Sequence, residues 1–336
     1  MPPIKLLICF FAIVCLPNLV VGQYEAKETR AIRCVTPPVI DGELNEACWG
    51  EAPAASGFIV DSPHPGTPLK QHTEVRIVYN DEAIYVGFMN YDDHPDSILT
   101  QLSGRDSDGN SDYCGITFSC YNDGINGHTF IITPKGEQWD ARESASTGED
   151  VSWNAVWYAK CRVVENGWIA EFKIPFAALR FPDKTQQEWG INFIREVRRI
   201  RHHSFWRGVN PLQAGNLTQM GKLLGIENIK PPKRLFFYPY ASYYQNFAET
   251  GEGVKTESSW NAGMDLKLGL NDAFTLDATL VPDFGQVISD QQILNLSPFE
   301  VQFQDNRQFF IEGTELFSKP VFSIHAVSAI SKEMKG

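Results

Sequence analysis

The amino-acid sequence predicts an all-β chain: a β-sandwich of immunoglobulin-like or jelly-roll type, followed by a second β architecture. Three observations carry that expectation. Between Val35 and Ile226, short runs with apolar residues at alternate positions follow one another between turn residues, and no amphipathic helix of any length interrupts them. "IKPPKRL", Ile229 to Leu235, then places two prolines where neither can donate a ladder hydrogen bond. Beyond it, "GMDLKLGLNDAFTLDATL" puts Met264, Leu266, Leu268 and Leu270 on one face and Asp265, Lys267, Gly269 and Asn271 on the other, and repeats the pattern with Phe274, Leu276, Ala278 and Leu280.

At the start, Lys5, the oily run Leu6 to Leu16, Pro17 and the small-residue exit Val20-Val21-Gly22 predict a signal peptide over residues 1–22. The run is about half what a spanning helix needs, and neither Cys9 nor Cys15 sits behind the small residue of a lipid-attachment box. The sandwich is expected over residues 35–228. Its strands are "TEVRIVY", "AIYVGFMN", "YCGITFSCY", "HTFIIT", "NAVWYAKCRVV", "WIAEFKIP", "WGINFIREVRR" and "GKLLGI", with a short helical turn at "PFAALRF". Asn80-Asp81 and Asn166-Gly167 read as two-residue hairpin turns, because Asn and Gly tolerate positive φ.

Residues 229–336 form the second unit. "LFFYPYASYYQNF" is crowded with aromatics and leads through "AETGEGVKTESS" into the two alternating runs. Strands of about ten residues with one apolar face and aromatic ends fit an outer-membrane barrel hairpin. A half-buried soluble sheet would look the same locally.

With 336 residues the chain has room for about two domains, and its 43% hydrophobic content is enough to bury a core. A net charge of −12 disfavours a nucleic-acid partner. One basic island, "REVRRIRHHSFWRG" from Arg195 to Gly208, reads either as a solvated face or as a contact for an anionic sugar or lipid head group. Five cysteines follow the signal peptide. Cys114 and Cys120 lie roughly 20 Å apart along one strand, too far to pair, and the odd count argues for buried thiols over a disulfide framework.

"VIDGELNEACWGEA", "TEVRIVYNDEAIYVGF", "RDSDGNSDYCGITF", "GWIAEFKIPFAALRF" and "WGINFIREVRR", taken together and in this order, resemble the family 9 carbohydrate-binding module, over roughly Val35 to Ile226. Downstream, "TLDATLVPDFGQVISDQQILNLSPFEVQFQDNRQFFIEG" is similar to domain of unknown function 5916, which follows this module in bacterial outer-membrane proteins and leads into a β-barrel. The resemblance tilts the second unit toward the opening strands of such a barrel. It implies glycan and the outer membrane as partners, and an address in the outer membrane, periplasm or cell surface. That family runs on for hundreds of residues after "FFIEGTELF", so the expected barrel is incomplete, a truncated start or one half of a pair.

Binding by such modules rests on flat aromatic rings against pyranose faces, with Arg, Asn and carboxylates bonding the hydroxyls. The family order puts Trp206 at one stacking position. Its partner position holds Gly109 or Asn110, leaving Trp139 or Trp153 to substitute; Arg105 and Arg195 complete the expected ligand set. "DSDGNSD" places Asp106, Asp108, Asn110 and Asp112 at alternate positions, a spacing that suits Ca²⁺. It is not an EF-hand, since Ser111 stands where the glycine belongs and Thr117 where the closing glutamate belongs. The resemblance implies structural calcium; the plainer reading is a solvated turn. G-x-S-x-G and H-E-x-x-H are missing from the sequence, and His202 and His203, adjacent in a strand, point to opposite faces. The expectation is therefore a non-catalytic binder. A Ca²⁺-assisted glycoside hydrolase using Asp106, Asp112 or Glu171 is the rival from the enzyme class, and a periplasmic cap or plug that binds no sugar is the third reading.

Overall fold

The computed structural model describes residues 25–281 except 147, 152, 211, 214, 233–234, 251–252 and 271–274. The expected signal peptide and the segment after residue 281 lie outside the described residues. In chain order the described strands are β1 (Glu28–Arg30), β2 (Ile32–Arg33), β3 (Ile59–Ser62), β4 (Thr73–Tyr79), β5 (Ala83–Tyr91), β6 (Tyr113–Ser119), β7 (Asn126–Ile132), β8 (Gln138–Ser144), β9 (Gly148–Asp150), β10 (Tyr158–Val164), β11 (Gly167–Pro175), β12 (Gln186–Val197), β13 (His202–Phe205), β14 (Gly221–Glu227), β15 (Leu235–Thr250), β16 (Gly253–Gly269) and β17 (Thr275–Leu280). One short helix, α1 (Ala47–Glu51), lies between β2 and β3.

Two sheets make the sandwich. The larger runs β1-β14-β12-β6-β7-β8-β9, with β13 on β12 and β3 on β13; the smaller runs β10-β11-β5-β4-β2. Alternation decides which side chains meet between them. From the larger sheet come Cys114, Ile116, Phe118, Phe130, Ile132, Ile191 and Phe193; from the smaller come Val75, Ile77, Ile84, Val86, Phe88, Trp168 and Phe172. Phe88 meets Phe193 edge to face across the gap, with ring centres 5.8 Å apart. Trp157 stacks on Phe172 at 5.6 Å.

The smaller sheet is covered on its outer face too. Ile32, Cys34, Ile40, Leu44, Cys48, Trp49 and Ala52 pack there against Val78, Ala83 and Tyr85. Gly87 makes this possible, since a Cβ at that position would lie 2.6 Å from Leu44 Cδ2 and 3.2 Å from the Trp49 ring. Beside it, at the position paired with Gly87, buried Glu171 accepts the backbone N–H groups of Asp41 (3.0 Å) and Gly42 (2.7 Å). The "DGE" turn is thus clamped onto the sheet.

Several expected elements differ in detail. The β4–β5 loop has three residues, Asn80 to Glu82, because the Asn80 side chain accepts the N–H groups of Glu82 and Ala83, both at 2.9 Å. The β10–β11 loop is Glu165-Asn166, and Gly167, at φ 143°, opens β11 instead of completing the turn. Residues 154–157 do not extend β10. Buried Asp140 holds them, accepting Ala155 N–H at 2.6 Å and Trp157 Nε1–H at 3.2 Å.

A separate three-stranded sheet, β15-β16-β17, follows Ile229, which is the last side chain buried in the sandwich core. Its register sets Leu235, Phe237, Pro239, Ala241 and Tyr243 beside Leu268, Leu266, Met264, Ala262 and Trp260, and then beside Leu276, Ala278 and Leu280. Leu235, Phe237, Tyr243, Trp260, Leu276 and Leu280 are exposed. Pro239 fits because β15 is an edge strand. Among the described residues the sheet does not close into a barrel.

Candidate functional site

With the outer face of the smaller sheet covered, the corresponding face of the larger sheet is the one left to receive a ligand. Its side chains have the opposite parity to the core: Tyr113, Gly115 and Thr117 on β6, Thr129 and Ile131 on β7, Trp139 and Glu143 on β8, Asn192 and Ile194 on β12, His203 and Phe205 on β13. All of these but Gly115 line a groove of about 370 Å³, together with Glu149 on β9, Asp61 on β3, Val209, Leu217 and Met220. That volume is within the range of small-ligand sites.

The floor is kept low by Gly115, where a Cβ would come within 2.6 Å of Ile131 Cγ1. Aromatic surface comes from Trp139, Phe205, Tyr113 and His203, with the His203 and Phe205 rings edge to face at 4.8 Å. A polar relay crosses the strands: the Thr117 and Thr129 hydroxyls are 2.8 Å apart, and Thr129 donates to Glu143. Burial pushes the Glu143 carboxyl above the usual range, against the pull of the Thr129 hydroxyl. Asn192 is fixed by both of its amide atoms, donating to Arg207 O (2.9 Å) and accepting Arg207 N–H (2.9 Å). His203 Nδ1 stands 3.6 Å from Asp61.

Of the expected ligand residues, the groove takes only Trp139. Trp206 is 3% exposed and packs on Phe193 at 5.2 Å, with Gly221 pressed against its ring, so no face is open to a pyranose. Trp153 lines a separate hollow of about 160 Å³ and lies against His128 at 4.8 Å. Arg105 spans Gln138 (3.0 Å), Asn154 (3.2 Å) and buried Asp140, tying the segment after β9 to β8. Arg195 points inward: it is fully buried, 5.0 Å over the Trp168 ring and 3.7 Å from Asp112. The basic island is largely spent inside the protein. Arg199 grips Asp92 through two bonds of 2.7 and 2.8 Å, and Arg198 holds Asp108.

The expected calcium donors do not converge. Asp108 serves Arg198, Asp112 accepts Arg198 N–H at 3.0 Å beside Arg195, and Asp106 is 3.7 Å from Arg105; Asn110 N–H donates to Gln101 at 2.9 Å. Among the described residues no three acidic, His or Cys side chains gather as a metal would require. This donor set does not fit a calcium ion. The rival catalytic set is likewise dispersed, with Asp112 beside β6 and Glu171 on the far face of the other sheet under the "DGE" turn.

Sequence reasoning missed Tyr113, Thr117, Thr129, Glu143, Asn192 and Phe205. For Tyr113, Thr117, Thr129 and Asn192 the signal was present as the non-core parity of strands already recognised; Glu143 and Phe205 lie on β8 and β13, which were not among them. β8 went unread because its inward positions are Gln138, Asp140 and Arg142, which break the apolar alternation.

Fold and groove together define a two-sheet β-sandwich with one open face lined by rings, hydroxyls and carboxylates. Comparison with known proteins adds the following. Residues 231–322 match the family model of a domain of unknown function, DUF5916. Similar solved structures include a family 9 carbohydrate-binding module from Caldicellulosiruptor kristjanssonii in complex with cellotriose (15% identity, TM-score 0.44, covering 60% of this chain and 95% of that one). A candidate carbohydrate-binding protein from Bacteroides uniformis gives 13% identity and a TM-score of 0.48, covering 60% of this chain and 100% of that one. The Caldicellulosiruptor module with glucose gives 16% and 0.38, covering 61% and 100%. No curated protein matches the chain.

Proposed function

We propose that the chain is a saccharide-binding module of a cell envelope, not itself catalytic, whose sandwich captures glycan while the strands after Ile229 enter an outer-membrane-type bilayer. The groove on the larger sheet carries the first half of this reading. Rings of Trp139, Phe205 and Tyr113 offer apolar surface to pyranose faces, and the Thr, Asn and carboxylate groups between them offer acceptors and donors to hydroxyls. Glycan-array and calorimetric binding by the full chain tests it. Trp139→Ala is expected to weaken the best ligand about tenfold. Absence of binding to any glycan on a broad array would defeat it.

The third sheet supports the second half. Its apolar face runs from Leu235 to the Tyr243–Trp260 pair, whose rings are 4.7 Å apart, and eight residues of strand rise about 26 Å. Tilted as barrel strands are, that is about 20 Å, against an apolar band of about 25 Å flanked by aromatic girdles. The opposite face carries Asp265, Lys267, Asn261 and Ser259. Flotation of the full chain with phospholipid vesicles is the test, with loss of flotation in a Phe237→Asp, Leu266→Asp variant. A full chain that stays folded and vesicle-free without detergent would refute bilayer insertion.

A further inference from the structure

The groove is electrically one-sided. Asp61, Asp108, Glu143 and Glu149 line it, and none of its described lining residues is Lys or Arg. Two of these carboxylates have basic neighbours: Asp108 is held by Arg198, and Asp61 stands 3.6 Å from His203. The other two face each other. Glu143 on β8 is the direct cross-strand partner of Glu149 on β9, an arrangement that like charges disfavour. The next pair in the same hairpin shows the ordinary solution: Arg142 opposes Asp150, with an ion pair at 3.1 Å. The neutral hydroxyl of Thr129 is the hydrogen-bond donor that the described structure gives to Glu143. A like-charged pair is thus kept on the ligand face of a hairpin whose other face is charge-matched.

Resting on the saccharide reading, we propose that the groove selects oligosaccharides of amino sugars with free amines, an ammonium seated between Glu143 and Glu149 while a neighbouring ring lies on Trp139. Trp139 and Glu143 are four residues apart on one strand face, about 13 Å, which is longer than a single pyranose ring. The guest is therefore an oligomer. An ammonium brings several donors to two acceptor-only carboxylates and removes their mutual repulsion, whereas a uronic acid or sulfated sugar would add to it.

The test is calorimetric titration of the full chain at pH 6, where an amine is cationic, with β-1,4-linked glucosamine, N-acetylglucosamine and glucose oligomers of equal length. The amine-bearing oligomer is expected to bind about tenfold or more tighter than the other two, with the advantage shrinking between 50 mM and 500 mM salt. In Glu143→Gln, Glu149→Gln the ratio of amine to neutral affinity is expected to fall toward one, with folding checked by the thermal melt. Equal or tighter binding of the neutral oligomers, or an advantage that survives the double substitution, overturns the selectivity while leaving the saccharide reading intact. Failure of all three oligomers to bind, together with a blank glycan array, removes both.

Discussion

Glu171 should make this sandwich lose stability as pH rises from mildly acidic to neutral. The side chain is fully buried on β11, its Oε2 accepting two backbone N–H bonds from the "DGE" turn and its Oε1 buried without a hydrogen-bond partner. Burial, opposed by those two N–H bonds and aided by the nearby charges of Glu46 and Asp41, pushes its pKa up to about 7 from 4.5. A folded-state pKa above the unfolded value means that the native state binds more protons through the window between them. The stabilisation is present in full below pH 4.5 and is lost as pH rises through 7. A difference of about 2.5 units at 1.36 kcal/mol each gives about 3 kcal/mol. Glu171→Gln keeps the shape and one acceptor oxygen for the Asp41 and Gly42 amides, and removes the charge. Urea denaturation of both proteins from pH 4.5 to 8.5, followed by tryptophan fluorescence, reads the difference. The other buried carboxylates cancel in that comparison. The variant is expected to match the parent within about 1 kcal/mol at pH 4.5 and to exceed it by about 2–3 kcal/mol at pH 8. Parallel curves, or a parent that gains on the variant as pH rises, would refute the reasoning.

Trp206→Ala should cost about 3–5 kcal/mol of stability, because it empties a core position against Phe193; a folded protein of near-parental melting temperature would show the ring to be peripheral. Gly87→Ala should destabilise by about 1–3 kcal/mol by forcing Leu44 and Trp49 off the smaller sheet, and an unchanged melt would mean that the covering segment yields freely. Among the five described cysteines, Cys48 should be the first alkylated under native conditions and Cys114 and Cys120 the last, since burial raises both of the latter and keeps reagent out. Peptide mapping over time checks the order, and early labelling of Cys120 would contradict it.

The strands were legible because two-sided burial leaves a mark that a single chain can carry. Thr73–Tyr79 is bounded as "TEVRIVY" predicts, and β5, β6, β7, β11 and β14 fall within one or two residues of expectation. Where a polar residue faces inward, the mark fails. Asp140 is buried among Arg105, Ala155 and Trp157, so β8 reads as loop, although three bonds make that position affordable in the fold. The site was less legible for a different reason. Period-two patterning separates a strand's core face from its outer face, but it cannot say which outer face another segment will cover. Trp206 has the composition of a binding residue and the address of a core residue. Trp139 has both the ring and the open face.

Coverage of the smaller sheet explains why one face is available. Trp49 and Leu44 can descend onto β5 only because position 87 lacks a Cβ, and the turn that brings them there is anchored by a carboxylate that no solvent reaches. Glu171, which looks from sequence like a candidate acid for sugar chemistry, is therefore a fastener for the covered face. With that face closed, the counterpart on the larger sheet is the open one, and on the saccharide reading it takes the ligand. A face meant for another protein would carry contiguous apolar surface; this one interrupts its rings with Thr117, Thr129, Asn192 and Glu143, each within reach of a hydroxyl-rich guest. The same division recurs after Ile229 with the opposite outcome, because the face with Leu266 and Trp260 is apolar without interruption as far as the Tyr243–Trp260 pair. On the proposed reading one open face takes a solute and the other a hydrocarbon, and alternation along the strands distinguishes the two.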